Sequence, residues 1–106
     1  MKIASLLTVA LLATALSACS WVQTTEGGKQ VTLVKAFNVT DCKKLGSTIT
    51  SVKDKIGFIE RDEKKMMEES VTLAKNTAAK MGGDSIVATS PLKEGSMTFD
   101  IYKCAP

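Results

Sequence analysis

Apolar and polar side chains alternate most clearly over residues 96–103, near the end of the chain. The apolar members of this segment are Met97, Phe99 and Ile101. Alternation with a period of two predicts a strand that buries one face. Three further strands are predicted from β-branched runs, over residues 29–35, 47–52 and 84–89. In the first of these, we expect Val31 and Leu33 to face inward.

One helix is predicted from about Asp62 to Met81, because apolar residues recur there with the helical period. The predicted apolar stripe consists of Met67, Val71, Ala74, Ala78 and Met81. Carboxylates crowd the start of the segment, where they complement the helix dipole, and Gly82-Gly83 supply the stop. The two small alanines indicate that the helix approaches a sheet closely.

Two strands, one helix and a closing hairpin predict an α+β fold. We expect a small β-β-α-β-β sheet with one amphipathic helix packed on one face and a single disulfide. The predicted division of the chain is a leader over residues 1–18 that is removed, a lipidated N-terminus and short connector over residues 19–28, and a single domain over residues 29–106.

The first stretch of the chain has the layout of a secretory leader. One positive charge at Lys2 precedes an apolar run from Ile3 to Leu16 that ends in small residues. A transmembrane helix needs about 20 predominantly apolar residues, and this run is shorter. The segment therefore predicts a leader and not a membrane span.

A cysteine directly follows this leader. The sequence Leu16-Ser17-Ala18-Cys19 resembles the lipobox of bacterial lipoproteins, in which the cysteine thiol is coupled to a diacylglycerol and the freed amine is acylated. The resemblance implies that Cys19 is the first residue of the mature chain. Ser20 follows it, where an aspartate favours retention at the inner membrane, so we expect the periplasmic face of the outer membrane. An ordinary secretory signal with a chance cysteine is the alternative.

The other two cysteines, Cys42 and Cys104, form an even pair. In an oxidising compartment such a pair predicts a disulfide. A redox-active or metal-binding pair is the alternative. Catalytic dithiols usually lie close together as Cys-x-x-Cys, and the chain has no histidine, the commonest metal ligand. We therefore expect a structural bridge.

Composition narrows the classes of function. The 14 lysines and arginines are interspersed with 11 acidic residues, whereas a nucleic-acid binder needs a clustered basic face. We expect no nucleic-acid partner. Without histidine, a hydrolase triad of the familiar kind cannot be built, and no serine stands in a Gly-x-Ser-x-Gly elbow. The sequence therefore predicts no enzyme, no catalytic residue and no cofactor.

Two clusters offer a metal-binding alternative. Glu60, Asp62 and Glu63 lie together before and within the first helical turn, and the thioethers of Met66 and Met67 are adjacent. Helix-dipole complementarity explains the acids, and core packing explains the methionines, without a ligand. We therefore expect no metal site.

Four blocks of the chain resemble the YjeI-type lipoproteins of enterobacteria, whose conserved domain has no known function. The blocks are Val31–Val34, Cys42–Gly46, Asn76–Ile86 and Ile101–Cys104. This likeness covers nearly the whole mature chain. A looser likeness to the outer-membrane stress sensors of the RcsF type rests on the order of strand, alanine-rich helix, glycine and apolar strand. The resemblance implies a small envelope lipoprotein, with stress signalling as a variant.

These expectations favour a non-catalytic binding or adaptor module, held at the membrane by the lipid on Cys19 and in contact with another envelope protein. The predicted contact surface is a free sheet edge or the polar side of the last strand, formed by Thr98, Asp100 and Tyr102. A small-ligand or metal-binding lipoprotein is the rival hypothesis. A buried apolar pocket would favour the rival, and a flat exposed patch would favour the adaptor.

Overall fold

The computed structural model describes residues 22–106. The predicted leader, Cys19, Ser20 and Trp21 lie outside these residues. The described chain forms the strands β1 (Thr32–Leu33), β2 (Lys43–Ser51), β3 (Lys55–Ile56), β4 (Ile59–Glu60), β5 (Ser85–Ala88) and β6 (Ser96–Lys103), the helix α1 (Glu63–Lys80), and two short 3₁₀ helices at Gly28–Gln30 and Ala36–Val39.

Four of the strands form one mixed sheet in the order β1-β5-β6-β2. Strand β1 pairs parallel to β5, and the other two pairs are antiparallel. Helix α1 contacts all four strands of this sheet. The predicted α+β fold is confirmed. Strands β3 and β4 form a separate hairpin that the sequence did not predict.

Helix α1 begins and ends within one residue of its predicted bounds. The Asp62 carboxylate caps the start by accepting a hydrogen bond from the backbone N–H of Lys64 at 3.3 Å. At the other end, Gly82 has a φ of 80°, and the N–H of Gly83 reaches back to the carbonyl of Ala78 at 2.8 Å. This is the Schellman arrangement, which needs a left-handed residue after the helix.

The buried face of α1 lies one residue away from part of the predicted stripe. The buried residues are Met66, Ser70, Ala74 and Ala78. Met67 and Met81, predicted to be buried, are 39% and 42% exposed, so these two predictions are wrong. Ala74 and Ala78 have no exposed surface and pack against the sheet. Ser70 and Met66 precede Ala74 by four and eight residues, so they lie on the same helix face.

The core lies between α1 and the apolar face of β6. Met97, Phe99 and Ile101 are at most 4% exposed, as their alternation predicts, and they pack with the helix alanines. On the neighbouring β2, Thr50 is buried and Ile49 is 71% exposed. Ile49 is exposed because it pairs with Thr98, on the sheet face that points away from the helix.

The strand predicted over residues 29–35 is reduced to the two residues of β1. The 3₁₀ helix at Gly28–Gln30 occupies the first part of the segment, so pairing starts only at Thr32. Val31 is buried as expected. Leu33, predicted to face inward, is 44% exposed because β1 is an edge strand with a neighbour on one side only.

Candidate functional site

A disulfide joins Cys42 to Cys104, with an S–S distance of 2.12 Å. The next residues inward, Lys43 and Lys103, are direct partners in the β2–β6 ladder, so the bridge is placed across the end of two neighbouring antiparallel strands. The predicted disulfide is confirmed. The bridge ties the beginning of β2 to the end of β6.

The Asp84 carboxylate holds the C-terminal segment that carries Cys104. It accepts hydrogen bonds from the backbone N–H of Cys104 at 2.8 Å and of Ala105 at 2.7 Å. These two bonds, with smaller contributions from the Ser85 hydroxyl and the charge of Lys103, lower the pKa of Asp84 below its ordinary value. The carboxylate therefore stabilises the folded position of the C-terminal segment in its charged form.

We expect this contribution to disappear in acid. A carboxyl with a depressed folded-state pKa stabilises the fold above its unfolded pKa of about 3.9, and the effect is lost as the pH falls through the folded-state value. Asp84→Asn should lower the free energy of unfolding by about 1 kcal/mol at neutral pH, and the difference from the unaltered protein should shrink below about pH 4. Urea unfolding at a series of pH values measures this; a difference independent of pH would contradict it.

On the polar side of β6, which was predicted as a contact surface, Asp100 makes contacts within the sheet. Asp100 accepts a hydrogen bond from the Ser47 hydroxyl at 2.8 Å and forms an ion pair with Lys44 at 3.3 Å. Thr98 and Tyr102 are half-buried beside it. The polar groups of this face are thus partly committed to the neighbouring strand β2.

An open apolar groove lies instead beside the edge strand β1. It has a volume of about 690 Å³, and its lining includes the apolar residues Leu33, Phe37, Val87 and Ala88. Phe37 stands in the 3₁₀ helix Ala36–Val39 and is 70% exposed. We call this set of four side chains the edge groove.

The backbone of β1 leaves one side of the strand open to a partner. The amides of Thr32 and Val34 donate to carbonyls of Asp84 and Ile86, towards β5. Because amides alternate in direction along a strand, the amide of Leu33 points to the outer edge. The edge groove therefore combines the exposed side chains of Leu33 and Phe37 with an outward-facing backbone amide.

The segment before β1 is bound to the helix. The Asn76 side chain accepts hydrogen bonds from the backbone N–H of Thr25 at 2.9 Å and from its hydroxyl at 3.2 Å, and donates to the carbonyl of Gln23 at 2.9 Å. Gly28 is buried here, and a Cβ on it would collide with the Asn76 oxygen. From Gln23 onward, the predicted connector is thus packed against the domain.

Asn76→Ala should release this segment. We expect faster proteolysis and amide exchange at residues 23–28, and a loss of about 1–3 kcal/mol in unfolding free energy, because three hydrogen bonds between the helix and this segment disappear. Lys29→Ala serves as the matched control, since it removes only the exposed Lys29–Glu26 ion pair. Equal exchange rates in both variants would show that Asn76 does not hold the segment.

An ion pair fixes the β3–β4 hairpin to the helix. Arg61 donates to both carboxylate oxygens of Glu69, at 3.1 and 2.5 Å, and to the carbonyl of Lys53 at 2.9 Å. The two charged side chains are only 12% and 15% exposed. The contact with Glu69 raises the pKa of Arg61. This bidentate pair holds the base of the hairpin in one position.

Neither a metal cluster nor a membrane-spanning helix is found in the described part of the chain. Among residues 22–106, no three histidine, cysteine, aspartate or glutamate side chains come together as a metal site would require. Within the same range, no helix combines the length and the apolar character needed to cross a bilayer. Asp62 of the acidic cluster caps α1, and Met66 and Met67 differ in burial, at 8% and 39% exposure.

The sequence did not predict the edge groove, the Asn76 contacts or the Arg61–Glu69 pair. Phe37 is a single aromatic residue in a short segment of mixed polarity, and Asn76 is a polar residue within a helix, so neither belongs to a periodic pattern. The one signal in the sequence for the edge groove was a large apolar residue, Phe37, outside any predicted strand or helix.

Comparison with known proteins places the chain in a family. A family model described as a domain of unknown function (DUF4156) matches residues 22–104. The match starts at the first described residue and ends at the disulfide cysteine Cys104. Neither a curated protein nor a solved structure matches the chain. Since the family model spans most of its length, the chain belongs to the DUF4156 family.

Proposed function

We propose that this protein is an outer-membrane-anchored lipoprotein on the periplasmic side of the cell envelope, and that it acts as a non-catalytic binding or adaptor module. The anchor is a lipid on Cys19. Support for the anchor comes from the sequence Leu16-Ser17-Ala18-Cys19 at the end of the leader, and from the likeness to YjeI-type lipoproteins. The looser likeness to RcsF-type sensors makes envelope stress a variant of this role.

The observation that carries the adaptor proposal is the edge groove. Phe37 and Leu33 expose 70% and 44% of their surface beside a strand whose outer backbone edge is open. Burying such side chains beneath a partner is favourable, because it removes apolar surface from water. An open sheet edge recruits an extended peptide segment, which adds main-chain hydrogen bonds to the apolar contact. The partner that fits is therefore an extended segment of an envelope protein with an apolar side chain.

The small-ligand hypothesis is less well supported by this geometry. Ligand sites are concave and enclose most of the ligand surface, whereas the edge groove is an open cleft beside an edge strand. Leu33 and Phe37 are exposed at this surface, and Phe37 has most of its side chain in solvent. Such a patch is suited to contact with a macromolecule.

The proposal predicts that a charge at Phe37 breaks an envelope complex. The mature protein, extracted in mild detergent, should migrate as a complex larger than the protein alone. Phe37→Asp should weaken that complex by about tenfold or more, since burying one Phe contributes about 1.5–3 kcal/mol. Size-exclusion chromatography with mass spectrometry of the complex measures this.

Ile49→Asp is the matched control. Ile49 is 71% exposed, almost the same as Phe37, but it lies on β2 at the other edge of the sheet. The complex should survive this change. Loss of the complex in both variants, or an unchanged complex in Phe37→Asp, would contradict the proposal.

A further inference from the structure

The β3–β4 hairpin exposes three large apolar side chains within six residues. Phe58 at the tip is fully exposed, and Ile59 and Ile56 are 74% and 55% exposed. Gly57 makes the turn possible, because its φ of 65° is left-handed, and a Cβ there would meet no neighbour. Contiguous exposed apolar groups of this size mark interaction sites.

This hairpin is held in place and is not a loose loop. The backbone N–H of Arg61 donates to the carbonyl of Asp54 at 2.9 Å across the base of the hairpin. The Arg61 side chain continues from there to Glu69 of α1 and to the carbonyl of Lys53. The apolar tip is therefore presented in a fixed direction relative to the helix.

The hairpin lies beside the point where the described chain begins. Val22 and Ile56 line the same cleft between the hairpin and α1. Val22 is three residues after Cys19, a distance that extended chain spans in at most about 11 Å. Because Asn76 fixes Gln23 and Thr25, the segment up to Cys19 starts from a defined place on the domain. A lipid on Cys19 would hold this side of the domain against the bilayer.

We propose that the tip of the hairpin, Ile56, Phe58 and Ile59, inserts into the interfacial layer of the bilayer to which Cys19 is anchored. This inference rests on the proposed lipid anchor. Insertion adds apolar burial to that of the acyl chains, and the contributions sum per buried CH₂. The residues 53–65 contain nearly equal numbers of basic and acidic side chains, so apolar burial drives the contact. A hairpin inserted in this way fixes the orientation of the domain relative to the bilayer, so that the same side of the domain always faces away from the membrane.

The test uses the full mature protein in vesicles of zwitterionic phosphatidylcholine with brominated acyl chains. Trp21→Phe removes the single native indole, and Phe58→Trp places one at the tip. Apolar groups at the interface lie about 5–10 Å into the headgroup and acyl boundary, within reach of the bromines, so we expect quenching of the indole emission together with a blue shift. Ile49→Trp in the same background, on the sheet face away from the helix, should show neither effect.

Three results separate the hairpin from the anchor. Quenching at position 58 and not at position 49 supports the inference. The protein could instead sediment with the vesicles and carry the acyl mass on Cys19 while the indole at position 58 stays unquenched; this result overturns the insertion and leaves the anchor standing. If that unquenched indole is blue-shifted, the tip contacts a second copy or another protein segment. Protein that lacks the acyl mass and stays in the supernatant overturns both.

Discussion

Replacing Cys104 by alanine is expected to lower the free energy of unfolding by about 2–5 kcal/mol. The bridge joins residues 62 positions apart, so its loss frees a long loop in the unfolded chain. It also removes the tie between the ends of β2 and β6, next to the paired Lys43 and Lys103. A domain this small has a limited core, and one covalent bond is a large part of its stability.

Urea unfolding of periplasmically produced protein measures the effect. Cys42→Ala should cost the same as Cys104→Ala, and the double variant should cost no more than either, because all three remove one bond. Cys19→Ala is the control, since this cysteine lies outside the described domain, and its unfolding should match the unaltered protein. Two free thiols in the unreduced protein, or additive losses in the double variant, would contradict the structural role of the bridge.

Replacing Cys19 by alanine is expected to release the protein from the membrane. A single acyl chain gives only marginal, reversible binding, whereas several chains on one residue hold the protein stably. Removing all of them should lower membrane partitioning by on the order of a hundredfold or more, even if the hairpin tip adds a weak contact of its own. Fractionation of cells and intact mass of the extracted protein measure this. Cys104→Ala should stay in the membrane fraction, and an unmodified Cys19 in the membrane-extracted protein would contradict the anchor.

The parts of the fold with strong periodic or capping signals could be predicted from the sequence. Helix α1 was placed within one residue at each end because Asp62 and Gly82 mark its bounds chemically. Strand β6 was correct in its limits and in its buried face. The disulfide was predicted from an even pair of cysteines, on the expectation of an oxidising compartment.

The parts set by tertiary contacts could not be predicted. The face of α1 depends on how closely the alanines meet the sheet, so Met66 rather than Met67 is buried. Leu33 is exposed because the strand order makes β1 an edge, which no local pattern reveals. The hairpin β3–β4 has only two residues in each strand, too few for a period to be recognised.

The sequence predicted a contact surface at a free sheet edge or on the polar side of β6, and its use by a partner stays a prediction. Strand β1 is one edge of the sheet. The expected polar face of β6 instead uses Asp100 to bind Ser47 and Lys44. Phe37 was missed because a single aromatic residue in a 3₁₀ helix carries no periodic signal.

Site-specific photo-crosslinking in intact cells tests the adaptor function. With the crosslinker at position 37 in the edge groove, we expect capture of one discrete envelope protein. Capture should be absent with the crosslinker at position 49. It should also be much weaker in the Cys19→Ala background, because tethering raises the effective concentration of the partner. The same capture from positions 37 and 49, or none from the edge groove while the purified protein binds a metal or small molecule tightly, would contradict the adaptor function.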